Sequence, residues 1–385
     1  MRTPAWSVPR HMHAFRIIDS TLREGEQCAR AHFGLDDKLA IARAVDAFGV
    51  DYLELTSPAA SPRARQHFER IVELGLRARV VAHCRCVMAD VQAAIDAGAT
   101  GVGLFFATSQ VLRDASHGCN LQQTLDVIGP PLERAIAAGL ETRFSAEDAF
   151  RTAESELLDV YAAVCRLGVH RVGLADTVGI ATPGEVQRRV ARVREAVRCD
   201  IGFHGHNDTG CAVANAYEAV AAGATHVDVS VLGIGERVGI TPLGTFVARM
   251  LTIAPEQVVG RYRLGRLATL ERQVAEAMGV QIPFNHCVTG EAAFSHKAGT
   301  HLKAMLRDPT SYEAVAPELF GERRTFIVGS HLTGKHAVAH RARTLGLELN
   351  ARQTQAVTLR IKELADEHDL GDEEVDRVLR EWVLR

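Results

Sequence analysis

The chain has 385 residues, of which 47% are hydrophobic and 24% are charged, and its formal net charge is −3. This length allows one large domain and a smaller one, each with its own core. The balanced charge gives no indication of a nucleic-acid partner or an anionic membrane surface, and no apolar run is long enough to span a bilayer.

The chain begins with a segment that lacks the apolar core of a secretory signal. Residues 1–14 are therefore predicted to form a short N-terminal extension. The eight cysteines include no CxxC pair and no regular framework. This distribution favours reduced thiols in a cytoplasmic protein over a disulfide scaffold.

Short apolar runs and amphipathic stretches alternate regularly after residue 15. The runs are typical of strands, and the stretches have apolar residues at helical spacing. The predicted strands are 15–19, 52–57, 79–85, 101–107, 142–148, 171–177, 201–208 and 226–233. These strand–helix units predict an α/β fold, a (β/α)8 TIM barrel over 15–262. A doubly wound open sheet is the alternative, disfavoured because no GxGxxG motif follows the first strand.

The chain changes in character after residue 262. A helix is predicted over 267–279, and a polar stretch rich in histidine follows it. Residues 263–325 are interpreted as a linker and lid segment. Residues 326–385 carry two or three helical patterns and are predicted to form a small helical C-terminal domain.

Polar side chains occur where the predicted strands end, and in a TIM barrel these ends and the loops after them build the active site. Side chains two residues apart on a strand share a face, so these groups should converge on one opening, the mouth of the barrel. The candidates are Arg23, Glu24, His83, Arg85, Arg143, Ser145, Glu147, Thr177, His204 and His206.

Three of these residues form a ligand set that suits a divalent cation. His204 and His206 offer two imidazoles and Glu24 offers a hard oxygen, which leaves positions for substrate and water. The set does not choose between Mg, Mn, Zn and Co. The alternative, histidines satisfied within the core, is weaker because all three residues belong to the same barrel end.

The arginines near this set have two possible roles. Arg23 beside a metal would polarise a carbonyl or hold a carboxylate with two hydrogen bonds. Its alternative is a structural ion pair with Asp19 or Glu26. For Arg143 and Arg85 the alternative is likewise pairing with a neighbouring acid.

Several motifs together carry a family resemblance. They are DSTLREGEQ, RFSAED, LADTVG, FHGHNDTGCAVANAYEAVAAGATHVD, GIGER and AFSHKAGTHLKA. With them the chain resembles homocitrate synthase, within the DRE-TIM metallolyase superfamily that includes isopropylmalate synthase, over about 15–385. The resemblance implies a TIM barrel, a helical C-terminal region and a domain-swapped homodimer. It also implies an acyltransferase that condenses acetyl-CoA with a 2-oxo acid and then hydrolyses the thioester.

The resemblance also assigns roles to residues at the mouth. Glu24, His204 and His206 would be the metal ligands, and Arg23 would stabilise the ketone oxygen as it becomes an alkoxide. The carboxylates of the 2-oxo acid would be held by Arg143, Ser145 and Thr177, with His83 nearby.

Two further roles fall in the C-terminal part of the chain. By resemblance, His301 would be the general base that reaches the mouth of the partner subunit. It would remove a proton from the acetyl methyl group, assisted by Glu147. Tyr312 would assist the same step.

Three positions bear on the branch of the family. Ile240 stands where isopropylmalate synthases have Asn in a GERxGN motif, and no large regulatory domain follows in this sequence, so the homocitrate-synthase branch is favoured. Gly103 and Gly202 stand where that branch has acids that recognise the lysine amine during feedback inhibition. Their loss predicts insensitivity to lysine.

The loss of these two carboxylates also makes the predicted mouth more positive, which affects the 2-oxo acid that it would bind as acceptor. The preferred hypothesis is 3-phosphonopyruvate, which would give 2-phosphonomethylmalate. The alternatives are homocitrate synthase proper, with 2-oxoglutarate as acceptor, and a Re-type citrate synthase, with oxaloacetate. A carbon–carbon lyase on the same barrel is disfavoured, because such lyases are shorter than this chain.

Overall fold

The computed structural model describes residues 15–383, which fall into two compact units, 15–282 and 283–383. In the larger unit, parallel strands close into a barrel in chain order, and β8 completes the closure by pairing with β1. The strands are β1 (Arg16–Asp19), β2 (Tyr52–Thr56), β3 (Arg79–Arg85), β4 (Gly101–Ala107), β5 (Glu141–Glu147), β6 (Arg171–Asp176), β7 (Asp200–Gly205) and β8 (His226–Val229). The predicted (β/α)8 TIM barrel is confirmed. The predicted N-terminal extension, 1–14, lies outside the described residues.

Helices of the barrel unit alternate with the strands. They are α1 (Leu35–Phe48), α2 (Pro62–Val72), α3 (Met88–Asp96), α4 (Gln110–Leu112), α5 (Leu121–Ala137), α6 (Glu154–Arg166), α7 (Pro183–Ala196), α8 (Ala212–Ala221), α9 (Leu243–Leu251), α10 (Pro255–Arg261) and α11 (Leu267–Met278). Local signals fix several ends. The Thr182 side chain and Glu185 form a capping box at the start of α7, and Gly49, with φ of 107°, ends α1 in the left-handed conformation.

The strands are buried on both faces, since helices cover the outside and side chains fill the inside. All six residues of β6 are buried, for example, which explains why the strands appear in the sequence as near-continuous apolar runs. Strand β8 ends at Val229, earlier than predicted, because a helical turn follows at Val231–Gly233.

The barrel unit also extends beyond the predicted boundary at residue 262. Helix α11 buries Leu267, Leu270 and Val274 and packs against α1. Its apolar face therefore belongs to the barrel, and the unit ends near residue 282.

The C-terminal unit has its own small core, built mainly from helices. Its elements are β9 (Ser295–His296), α12 (Gly299–Met305), β10 (Thr325–Phe326), α13 (Lys335–Thr344), α14 (Ala351–Leu364) and α15 (Asp372–Val383), and β9 pairs with β10. Leu302, Val338, Val357, Ile361 and Leu379 are fully buried in this core. The predicted helical C-terminal region is confirmed. Among the described residues, no helix is long and apolar enough to cross a membrane.

Candidate active site

A cavity of about 330 Å³ lies at the C-terminal ends of the barrel strands, at the mouth predicted from the sequence. Its lining is Arg23, Glu24, Gln27, His83, Phe105, Arg143, Ser145, Glu147, Ala175, Thr177, His204, His206, Asp228, Glu236 and Arg237. Every barrel residue assigned above to a metal, a substrate or a proton transfer is in this lining. Arg85 is not: its side chain is 64% exposed and lies 2.8 Å from Asp90, so the alternative of pairing with an acid holds for it.

The turn after β1 places Glu24 in the mouth. The backbone N–H groups of Arg23, Glu24 and Gly25 all donate to the carbonyl of Ser20, which winds the chain tightly at the strand end. A Cβ atom at Gly25 would lie 2.8 Å from the Ile234 side chain, so glycine lets the turn approach the loop after β8. From that loop, the N–H of Glu236 donates to Glu24 Oε1 at 2.9 Å.

Glu24, His204 and His206 form a compact set of possible metal ligands. One ligand atom from each lies within 4.8 Å of the others, and all three residues are buried. His204 Nε2 is 3.3 Å from His206 Nε2 and 3.9 Å from Glu24 Oε2. Two imidazoles and one carboxylate converging in this way fit a divalent cation with coordination positions left for substrate.

The protonation of this set also suits metal binding. Burial, with His204 as neighbour, lowers the pKa of His206 to about 4, so its ring is neutral at neutral pH. Burial opposes ionisation of Glu24, but Arg23 and the two histidines outweigh it and lower the pKa of Glu24. His204 Nδ1 lies 3.0 Å from Asp228 Oδ2, which orients the ring with Nε2 towards the mouth.

Glu54 anchors the arginine of the mouth. Its Oε2 accepts from Arg23 Nε at 2.8 Å and from Ser20 Oγ at 2.7 Å, and Oε1 lies 3.4 Å from His83 Nδ1. Arg23 also pairs with Glu24. Burial opposes ionisation of Glu54, yet Arg23 and His83 hold its pKa well below the usual range. The guanidinium of Arg23 is therefore fixed beside the metal ligands.

The alternative considered for Arg23, an ion pair with Asp19 or Glu26, is wrong. Asp19 does not pair with Arg23 but accepts from the N–H and the hydroxyl of Thr21, each at 3.0 Å. Glu26 pairs with Lys38 at 2.7 Å on the outside of the turn. Both carboxylates are close to Arg23 in sequence, but neither reaches its guanidinium.

Asp228 anchors Arg143, as Glu54 anchors Arg23. Its two oxygens accept from Arg143 Nη1 and Nη2 at 2.8 and 2.9 Å, and the second oxygen also contacts His204. Burial opposes ionisation of Asp228, but Arg143 and His204 lower its pKa. Both the pairing alternative for Arg143 and its place in the mouth are therefore correct. Asp228 links the metal set to the arginine assigned to the acceptor.

The remaining mouth residues lie on β5 and after β6. Ser145 and Glu147 share the inward face of β5 with Arg143, as their spacing predicts, and all three line the cavity. Burial and the neighbouring Asp148 raise the pKa of Glu147. Thr177 follows β6, where its hydroxyl accepts from the N–H of Asp148 at 2.9 Å.

His301 and Tyr312 belong to the C-terminal unit. Their rings stack there with centroids 4.0 Å apart and planes inclined by 23°. Tyr312 is 48% exposed. The structure thus brings these two residues together within their own unit.

Comparison with known proteins identifies the family. Residues 14–274 match the HMGL-like family, and residues 288–369 match the homocitrate synthase post-HMGL domain-like family. The mitochondrial homocitrate synthase of Schizosaccharomyces pombe is 50% identical over 368 residues, which cover 96% of this chain and 88% of that protein. The chain belongs to the homocitrate synthase family. The resemblance seen in the motifs is confirmed.

Other relatives place the chain within this family and fold. The cytosolic homocitrate synthase isozyme of Saccharomyces cerevisiae is 46% identical over 97% of this chain and 87% of its own length. A probable 2-isopropylmalate synthase of Methanopyrus kandleri is 38% identical over 91% and 70%. The hydroxymethylglutaryl-CoA lyase structure from Pseudomonas aeruginosa superposes with a TM-score of 0.61 at 21% identity, over 77% of this chain and 98% of that one, which supports the barrel fold.

Gly103 and Gly202, the two positions expected from the resemblance to lack an acid, lie deep in the barrel on β4 and β7. A Cβ at Gly202 would lie 3.4 Å from Arg171 Cδ and 3.5 Å from Arg143 Cζ. One at Gly103 would lie 3.5 Å from Glu54 Oε1. An acid at 202 would therefore meet two guanidinium groups.

These guanidinium groups are paired without such an acid. Arg171 binds Glu141 at 2.5 Å, and Arg143 binds Asp228. The buried cations around the two glycines are Arg23, Arg143 and Arg171, and the buried or partly buried acids that pair with them are Glu24, Glu54, Glu141 and Asp228. Glu141 is shared with Arg79 at 2.8 Å, so four cations face four carboxylates, and these protein groups carry no excess positive charge.

Proposed function

We propose that this chain is a homocitrate synthase, an acyltransferase that condenses acetyl-CoA with 2-oxoglutarate and hydrolyses the thioester of the product. The observation that carries the proposal is the mouth itself: a metal-ligand set, an anchored Arg23 and a buried Arg143 line one cavity. The named relatives support the same reaction, since homocitrate synthases share 46% to 50% identity with nearly the whole chain.

In this proposal the mouth holds and polarises the acceptor. A divalent ion held by Glu24, His204 and His206 would supply Lewis-acid polarisation of the ketone. Arg23 donates to the ketone oxygen as negative charge develops on it, and Glu54 keeps the guanidinium in place for that contact. The acceptor carboxylates bind Arg143, Ser145 and Thr177, near His83.

Proton transfer is assigned to a second group of residues. His301 removes a proton from the acetyl methyl group, with Tyr312 and Glu147 assisting, and the resulting carbon nucleophile attacks the polarised ketone carbon. Water then cleaves the thioester and releases CoA. Burial and Asp148 raise the pKa of Glu147, which makes its protonated form more accessible than that of an exposed glutamate.

The acceptor is proposed to be 2-oxoglutarate and not 3-phosphonopyruvate, the acceptor first favoured on the sequence. That preference depended on a more positive mouth. The cations near Gly202 each have a carboxylate partner, Asp228 for Arg143 and Glu141 for Arg171, so the two glycines do not leave an unpaired cation there. The homocitrate synthases among the relatives also support the dicarboxylic acceptor.

The test is thiol release from acetyl-CoA, with Mg²⁺, Mn²⁺, Zn²⁺ and Co²⁺ each supplied in turn. The acceptor panel is 2-oxoglutarate, oxaloacetate, 2-oxoisovalerate and 3-phosphonopyruvate. We expect kcat/KM to be highest for 2-oxoglutarate, with homocitrate identified by mass spectrometry. A higher value for 3-phosphonopyruvate or oxaloacetate would refute the acceptor, and no thiol release with any acceptor would refute the condensation.

A matched pair of variants tests the role of Arg143. Arg143→Ala is expected to raise the KM for 2-oxoglutarate, whereas Arg85→Ala is not, because the Arg85 side chain is exposed and bound to Asp90. Equal effects of the two substitutions would contradict the assigned carboxylate contact.

We also propose that lysine does not inhibit this enzyme. A ligand ammonium group near residues 103 and 202 would need a carboxylate partner, and both positions are glycine. A lysine titration of thiol release at limiting 2-oxoglutarate is expected to leave the rate unchanged. Competitive inhibition by lysine would show that another carboxylate, such as Glu54, receives the amine.

The assembly is proposed to be a cytoplasmic homodimer in which the C-terminal unit of one subunit supplies His301 and Tyr312 to the mouth of the other. The stacked rings of His301 and Tyr312 support the delivery of these two residues together. Sedimentation analysis of the full chain is expected to give a dimer, and a monomer that retains full activity would contradict the exchange.

A further inference from the structure

Two cysteines that are distant in sequence have their sulfur atoms in contact. Cys165 lies in the last turn of α6, and Cys199 immediately precedes β7. Their Sγ atoms are 3.2 Å apart, and both side chains are partly exposed. A disulfide bond is about 2.05 Å long, so a side-chain movement of about 1 Å would bring the two sulfurs to bonding distance.

The backbone around the pair is well fixed. The N–H of Asp200 donates to the carbonyl of His170 at 3.1 Å, which ties the start of β7 to the segment between α6 and β6. Both cysteines are therefore held at the N-terminal ends of the strands, opposite to the mouth. Their proximity follows from the barrel topology and involves no residue of the proposed active site.

The environment makes one of the two thiols reactive. The hydrogen bond between the two thiols, against the effect of burial, lowers the pKa of Cys199 to about 7, and the N–H of Val172 and the charge of Arg194 act in the same direction. The same hydrogen bond and burial raise the pKa of Cys165. By contrast, burial raises the pKa of Cys84 to about 12. Since the thiolate is the attacking form, Cys199 is the better nucleophile.

We propose that Cys165 and Cys199 are a redox modification site that forms a reversible intramolecular disulfide by exchange with a low-molecular-weight disulfide such as oxidised glutathione. The Cys199 thiolate attacks one glutathione sulfur, the S–S bond breaks, and one glutathione thiolate leaves. Cys165, after losing its proton, then attacks the Cys199 sulfur and displaces the second glutathione. Two protein thiols are oxidised, and one glutathione disulfide is reduced to two glutathione thiols.

The bond would stabilise the barrel. It would join positions 34 residues apart and enclose β6 and α7, which restricts the unfolded chain more than the folded one. We expect the oxidised enzyme to unfold at a temperature about 5 °C or more above that of the reduced enzyme.

The experiment uses the full-length enzyme, reduced and then incubated with oxidised glutathione. Non-reducing peptide mapping is expected to find Cys165 linked to Cys199, and the intact mass should fall by two hydrogens relative to the reduced protein. In Cys165→Ser the second step is blocked, so Cys199 should retain one glutathione. Cys211→Ser is the matched control, because Cys211 follows the C-terminal end of β7 whereas Cys199 precedes its N-terminal end, and it should form the linkage as the wild type does.

Three other results of this experiment would contradict the proposal. Free thiols at both positions after incubation, or linkage of either cysteine to a different partner, would overturn the assignment. An unchanged unfolding temperature in the linked protein would overturn the stabilising role. Cys199→Ser gives a second check, since it should take up no glutathione at Cys165 under conditions that modify Cys165→Ser.

Discussion

The barrel mouth and the C-terminal unit present their proposed functional residues in different ways. At the mouth, the metal ligands and two arginines are buried, and a strand carboxylate fixes each of these arginines: Glu54 holds Arg23, and Asp228 holds Arg143. In the C-terminal unit, His301 and Tyr312 hold each other through stacked rings, and about half of Tyr312 is exposed.

This difference indicates two kinds of preorganisation. Buried ion pairs on the strands of a closed barrel keep their geometry before substrate arrives, so the mouth is suited to charge stabilisation. A stacked pair that remains open to solvent is suited to act after a further contact forms. We therefore expect substitutions at the mouth, except at Glu147, to alter metal and acceptor binding, and substitutions in the C-terminal unit to alter proton transfer alone.

The largest effect is expected for Glu24→Ala. Removal of the carboxylate from the ligand set should abolish tight metal binding and lower kcat by about 10³-fold or more, because Lewis-acid stabilisation contributes several kcal/mol. Bound metal is measured by mass spectrometry of the dialysed protein, alongside thiol release. Glu26→Ala is the control, since Glu26 pairs with Lys38 outside the cavity lining. A Glu24→Ala enzyme with full metal content would place the ion elsewhere.

His301→Ala is expected to lower kcat by about 10²- to 10⁴-fold, the range typical of a lost general base. The metal content of His301→Ala should equal that of the wild type. Adding Arg143→Ala to this variant should raise the KM by the same factor as in the wild type, because metal and acceptor bind at the mouth. If His301→Ala also loses its metal, the separation between the two regions is wrong.

Mixing two inactive variants tests the exchange between subunits directly. Glu24→Ala and His301→Ala, dissociated and reassociated together, should regain about a quarter of the wild-type activity, because half of the dimers are mixed and each has one complete site. No recovery would mean that each barrel uses the His301 of its own chain.

Asp228→Asn is expected to have an intermediate effect. It weakens the contacts to Arg143 and His204 together, so metal affinity should fall by about 10- to 100-fold and the KM for 2-oxoglutarate should rise. Isothermal titration with Mn²⁺ and steady-state kinetics measure the two parts. Asp200→Asn is the control, because Asp200 is half-exposed and lies at the N-terminal end of β7, away from the mouth. Loss of acceptor binding without loss of metal affinity would separate Asp228 from the metal set.

The sequence predicts the barrel and its mouth well because both follow from short-range rules. Alternation along β5 places Arg143 with Ser145 and Glu147, and the HGH motif places two histidines on one face of β7. These residues are in the cavity lining because strand ends of a parallel barrel meet at one edge.

The partners of these residues were beyond sequence reasoning. Glu54 lies 31 residues from Arg23, and Asp228 lies 85 residues from Arg143, each within an apolar strand that carries no local motif. Only the alternating faces of YLELTS and HVDVS hint that an acid turns inward. Barrel closure and strand register decide which acid meets which arginine, which explains why Asp19 and Glu26 were the wrong choice. His301 and Tyr312 were found by resemblance alone.

The smallest effect is expected for Asp19, a buried acid at the end of β1 whose partners differ from those of Glu54 and Asp228. Within residues 15–383 it pairs with no arginine or lysine, and burial raises its pKa to about 7 against the opposing hydrogen bonds from Thr21. An unfolded chain would release this proton near the ordinary value of 3.8. Between about pH 4 and 7 the unfolded state therefore binds fewer protons, so this group makes stability fall as pH rises.

Asp19→Asn removes that contribution. As pH rises from 4 to 7, the unfolding temperature of the variant should rise relative to that of the wild type, and above pH 7 the difference should stay constant. The corresponding change in the free energy of unfolding is on the order of a few kcal/mol at most. Differential scanning calorimetry across this range measures it. If the difference does not depend on pH, Asp19 is ionised in the folded protein. The hydrogen bonds from Thr21 would then suffice to keep Asp19 ionised, and its contrast with the ion-paired Glu54 and Asp228 would disappear.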